Sequence, residues 1–111
     1  MTRALKITAV GRTRQVEVHS LNDYQGGVGG FISAVPLGDD YMLILDDERS
    51  SNGHPNELAM ATVAHLGGSL KQGDVVRGTV FIVRLDASGR WSDVDDSIER
   101  EICGLAALLR Y

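Results

Sequence analysis

The stretch Phe31–Asp47, FISAVPLGDDYMLILDD, decides the fold. Its two apolar runs, Phe31–Leu37 and Tyr41–Leu45, each have the length of a strand, and Gly38, Asp39 and Asp40 between them have the composition of a tight turn. Neither run alternates between apolar and polar residues. Both are therefore expected to be central strands of a sheet that is covered on its two faces. Pro36 has no amide hydrogen to give to a ladder, so it marks a strand end or a sheet edge.

Toward the N-terminus the pattern changes to a period of two. Leu5, Ile7 and Ala9 alternate with Lys6 and Thr8, and Val16 and Val18 alternate with Gln15 and Glu17. GRTR at 11–14 supplies a turn, which predicts an opening hairpin. SLNDYQGG at 20–27 predicts one short helical turn, capped by Ser20 or Asn22 and stopped at Gly26.

The glycine run GGVGG at 26–30 then leads into the Phe31 strand. Gly27 and Gly29 form a G-x-G pair, but the next position of the dinucleotide fingerprint falls on Ile32, and a strand follows where that fingerprint needs a helix. No Lys-Ser or Lys-Thr completes a phosphate loop. Two readings stay open: glycines that allow positive φ and close packing, or a nest of backbone amides for an anion.

Toward the C-terminus, Leu58, Thr62 and Leu66 in ELAMATVAHLGG (57–68) lie on one helical face, and Gly67 ends the helix. VVRGTVFIVRL (75–85) predicts one long strand, with Phe81 and Val83 on one face and Val80 and Ile82 on the other. DASGRW (86–91) predicts a hairpin turned at Gly89. Ile98, Ile102, Leu105 and Leu109 give the last segment the stripe of an amphipathic helix, capped by Asp95 or Asp96. Together these patterns predict a single α+β domain over 1–111: a mostly antiparallel or mixed sheet of five or six strands with two main helices.

Fifteen acidic against eleven basic residues give a net charge of -4, the wrong sign for gripping phosphate backbones, so no nucleic-acid partner is expected. The apolar runs are far shorter than the roughly 20 residues a bilayer crossing takes, and the short alternating run at the start reads as a strand. A cytoplasmic protein with no membrane partner is expected. The lone Cys103 is expected to be a small core residue of the last helix.

Three scattered histidines, His19, His54 and His65, make no zinc signature, and neither a calcium loop nor a nucleophile elbow occurs. No catalytic residue, metal or cofactor is therefore expected. Among the carboxylates, Asp39 and Asp40 suit a turn, and Asp93, Asp95 and Asp96 suit a helix start. Asp46, Asp47 and Glu48 end a buried strand, where open sheets often bind ligands, and alternation puts Asp46 and Glu48 on one face. His54, beside Pro55 and Asn56, is a candidate polar contact in a loop.

The ordered series VGGFI (28–32), VPL (35–37), DDE (46–48), PN (55–56), AT (61–62) and GDVVRG (73–78) resembles the domain of unknown function DUF3846 over roughly residues 5–85. The resemblance implies a small protein of bacteriophages, plasmids and their bacterial hosts, without a settled activity. The chain departs from the pattern in two places. RSSN delays an expected glycine to Gly53, and a hairpin and helix follow after Gly78, as additions at 86–111.

With no catalytic set, the leading expectation is a noncatalytic binding protein that acts on a host protein or host defence through exposed strands or helices. An exposed apolar patch at Trp91, Tyr111 or the outer face of the last helix would favour it. The alternative is a small-ligand protein that sequesters a nucleotide signal, with the glycine amides, Asn56 and Thr62 converging on a pocket. An uncharacterised enzyme ranks third. The candidate ligand- or partner-binding residues are Gly29, Gly30, Asp46, Glu48, His54, Asn56 and Thr62, and a homodimer is expected from the apolar strand and amphipathic helix.

Overall fold

The alternation at the N-terminus builds the expected hairpin: β1 (Thr2–Ile7) and β2 (Thr13–Val18) pair antiparallel, with Leu5 opposite Gln15. The computed structural model describes residues 2–46, 54–68 and 75–109. After the hairpin come α1 (Leu21–Val28), β3 (Ile32–Leu37), β4 (Tyr41–Asp46), α2 (Glu57–His65), β5 (Val80–Leu85), β6 (Trp91–Ser92) and α3 (Asp96–Leu108). The strands form one six-stranded sheet in the order β2-β1-β5-β4-β3, with every pairing antiparallel. Val80–Ile82 of β5 pair with β1, and β6 takes over beside Arg84 and Leu85.

Alternation along β4 and β5 divides the interior into two cores. Leu43, Leu45, Val80 and Ile82 join Leu5 and Ile7 against Leu58, Ala59 and Val63 of α2 and Ile98 and Ile102 of α3. On the opposite face Ile44, Phe81 and Val83 join Ala4 and Val18 against Tyr24 of α1. Each large aliphatic side chain fully buried in this way stabilises the fold by roughly 1.5–3 kcal/mol. The α+β class and the antiparallel sheet follow the sequence reading.

Several local expectations need correction. Only one of the two apolar runs is central: β4 lies between β5 and β3, while β3 is an edge. Ala34 and Pro36 are exposed, as suits an edge strand carrying a proline. The segment after Ser20 is not one turn but a helix, making three helices among the described residues. It passes through Gly26 and Gly27 and stops at Gly29, whose φ of 89° is the left-handed cap that glycine adopts without strain. The amide of His19 donates to Asp23 Oδ2 at 2.7 Å, which ties the entry of this helix to its first turn.

The strand expected from Val75 starts only at Val80. Val76 reaches the core, but Gly78 has a φ of 74°, which interrupts an extended chain. Cys103 is exposed, with its Sγ 3.5 Å from Thr13 Oγ1, because the buried stripe of α3 is carried by Ile98 and Ile102. Asp95 caps this helix, accepting from the Ile98 amide at 2.9 Å. The β5–β6 hairpin forms as expected, with Asp86 Oδ1 accepting from the amides of Ser88 and Arg90, both at 2.9 Å.

Candidate functional site

The head of β3 brings three of the candidate residues together. Gly29 ends α1, Gly30 follows it, and Ile32 stands opposite Asp46 in the β3–β4 register. A Cβ built on Gly30 would lie 3.8 Å from Asp46 Oδ1, ordinary contact distance. Between them Phe31 is 74% exposed, although an apolar strand residue was expected there to be covered. The site is thus a helix end, an exposed aromatic ring and a carboxylate at the open corner of the sheet.

This corner is poorly suited to an anion. The amides of Gly29 and Gly30 both donate to the carbonyl of Gln25, at 2.9 and 3.1 Å, so they close the helix and do not form a nest. A helix C-terminus also carries negative partial charge, and Asp46 adds a carboxylate beside it. The backbone reading of the glycine run prevails over the amide nest.

Asn56 and Thr62 belong to a different place. Asn56 is fully buried at the start of α2, where its Oδ1 accepts from the Ala59 amide at 3.0 Å. Its Nδ2 donates to the carbonyls of Ile7, at 3.2 Å, and Gly78, at 2.8 Å. The Asn56 amide donates to Val76 at 2.7 Å. One side chain therefore clamps β1, α2 and the segment before β5. Thr62, equally buried, donates to the Leu58 carbonyl at 2.8 Å. His54 is exposed, and its carbonyl accepts from the Gly78 amide at 2.9 Å.

The six candidates among the described residues accordingly do not share a pocket. Gly29, Gly30 and Asp46 meet on the α1 side of the sheet, Asn56 and Thr62 pack with α2 on the other side, and Glu48 lies outside the described residues, as does Tyr111. Among the described residues no group of three or more His, Cys, Asp or Glu side chains is placed to hold a metal ion. None of the described helices is long and apolar enough to cross a membrane. Phe31 went unnoticed as a surface residue, although Pro36 in the strand that follows it carried the signal that this strand could be an edge.

The class of protein so defined is a small α+β domain with an antiparallel sheet between one helix and a pair of helices, and an open corner at the head of its edge strand. The chain belongs to the family described as a domain of unknown function, DUF3846, whose model matches residues 1–105. That span takes in the β5–β6 hairpin and α3 up to Leu105, beyond the stretch that carries the sequence resemblance. Comparison with curated proteins and with solved structures gives no match in either.

Proposed function

We propose that this chain is a noncatalytic binding protein that takes a protein partner along the β3 edge, with Phe31 as the apolar anchor. The observation that supports this reading is the exposure of Phe31 at the head of a strand that ends the sheet order. An edge strand offers its main-chain groups to an added strand, and a large exposed aromatic ring is the kind of residue that anchors an interface. Pro36 and the bridge between Leu37 and Gly68 close the far end of this edge, which leaves its first half for a partner. The resemblance to phage and plasmid proteins points to a host protein in the host cytoplasm, whose activity or defence role the binding modulates. The same open edge suits self-pairing into a homodimer.

The test is capture from a bacterial host lysate, joined to native mass spectrometry of the purified protein. A stoichiometric host protein is expected with the wild type and with Leu108→Lys, a change at another exposed apolar residue, and its loss is expected with Phe31→Asp. Retention by Phe31→Asp would remove the β3 edge from consideration. Turnover of a phosphoester that disappears in Asp46→Ala would replace binding by catalysis.

A further inference from the structure

The turn end of the first hairpin carries a cluster of cations. Lys6 in β1 stands directly opposite Arg14 in β2. Thr8 and Arg12 continue the pairing toward the turn: the Thr8 amide donates to the Arg12 carbonyl at 2.9 Å, and the Arg12 amide donates to Thr8 Oγ1 at 3.2 Å. Lys6, Thr8, Arg12, Thr13 and Arg14 line one cavity of about 290 Å³, and no carboxylate among the described residues lines it. Glu17 and Asp23 belong to the neighbouring cavity, which shares only Lys6 with this one.

Like charges directly opposite each other on paired strands repel and cost stability. Elsewhere the protein offsets its cations: Arg84 lies 4.0 Å from Asp95, and Arg3 Nη1 donates to Gln15 at 3.3 Å. Among the described residues the side chains of Lys6, Arg12 and Arg14 have no hydrogen-bond or ion-pair partner. Arg12 and Arg14 are exposed, and the contact between Arg12 and Thr8 lies at the surface, so solvent and small solutes reach the cavity.

Three such cations around one cavity favour an anion. A phosphate monoester carries roughly -1.5 to -2 charges at neutral pH, so three cations are balanced better by two linked phosphoryl groups than by one. The guanidinium forks of Arg12 and Arg14 match phosphate oxygens, and Lys6 adds a point charge beside them. The volume falls just below the roughly 300–1,000 Å³ typical of drug-sized ligands, and no aromatic ring lines the cavity for a base to stack on. The net charge of -4 opposes a long polyanion. We propose that the cavity of Lys6, Arg12 and Arg14 binds a diphosphate group, free or as the part of a nucleotide whose base stays outside. This site is independent of the β3 edge, because β2 and β3 lie at opposite ends of the sheet order.

The test is calorimetric titration of the whole protein at low ionic strength with inorganic diphosphate, inorganic phosphate, ADP and a short single strand of DNA. Diphosphate is expected to bind saturably and about tenfold more tightly than phosphate, the gain of one further hydrogen bond to a charged group. Arg14→Gln and Lys6→Gln should each weaken it about tenfold. Arg90→Gln, which removes the same charge from an exposed arginine next to β6, should leave binding unchanged. ADP binding at least as tightly as diphosphate assigns the site to the diphosphate of a nucleotide, and weaker binding of ADP assigns it to the free ion. No saturable binding, equal affinity for phosphate and diphosphate, equal weakening by Arg90→Gln, or tighter binding of the DNA overturns the proposal. The ranking of the four probes by the wild type decides the matter should a variant fail to fold.

Discussion

The ring of Phe81 occupies the space in which a Cβ at Gly27 would stand. Phe81 is buried in β5 and held edge-on to Tyr24, so the ring has little freedom to yield. A glycine in the middle of a helix, normally a weakness, is here the residue that lets α1 lie against the sheet. Gly26, one position earlier, has nothing within 4 Å of its Cβ position.

The two glycines should therefore respond in opposite directions. Gly26→Ala is expected to stabilise by up to about 1 kcal/mol through helix propensity. Gly27→Ala gains the same propensity but overpacks the core, which costs about 1–3 kcal/mol, so a net loss of about 1–2 kcal/mol is expected. Urea denaturation of both variants checks the pair. Addition of Phe81→Leu to Gly27→Ala should cost less than the two single changes summed, since both act on one contact.

These opposite roles also mark how far the sequence could be read. The period of two in β1 and β2 and the stripe through Ile98 and Ile102 depend only on local spacing, so they were legible. The contact between Gly27 and Phe81 depends on how α1 crosses β5, and no spacing records that. The edge position of β3 was half legible: its apolar run argued for the interior, Pro36 argued for an edge, and strand order settled it. Asn56 was legible as a polar residue before a helix, yet its role needs the carbonyls of Ile7 and Gly78, distant parts of the chain.

Asn56 is expected to be among the most sensitive polar positions. Asn56→Ala removes the cap on Ala59 and takes this donor from two carbonyls, that of Ile7, which is buried, and that of Gly78, which is half-buried. A loss of about 2–4 kcal/mol is expected from the cap and the unsatisfied groups together. Asn56→Asp keeps the cap but turns the donor into an acceptor facing the same carbonyls, so it should be no milder. Thermal unfolding measures both, and a neutral Asn56→Ala would refute the clamp.

Alkaline pH should find Tyr24. Burial, helped by the charge of Asp23, raises its hydroxyl from the ordinary 10.0 to about 12 in the folded protein. The folded state thus keeps a proton that the unfolded chain gives up above 10.0. Its contribution to stability is complete below that pH and is lost as the pH rises toward 12, by about 2–3 kcal/mol at most. Tyr24→Phe should show a shallower alkaline loss than the wild type, and near-equal stability at neutral pH because the removed hydroxyl has no partner among the described residues. Tyr41, also raised by burial and by Asp95, retains part of the alkaline loss in both proteins.

Neighbouring positions in α3 separate core from surface. Ile102 is fully buried between α3, α2 and the sheet, so Ile102→Ala is expected to cost about 2–5 kcal/mol by lost transfer energy and the cavity it leaves. Cys103 faces outward beside Thr13, and Cys103→Ser should change stability by no more than about 0.5 kcal/mol. A thiol reagent distinguishes this arrangement from a buried cysteine without any mutation. Cys103 should react in the native protein at nearly the rate seen in denaturant, whereas a thiol that reacts only after unfolding would place it in the core and rotate the face that α3 turns toward the sheet.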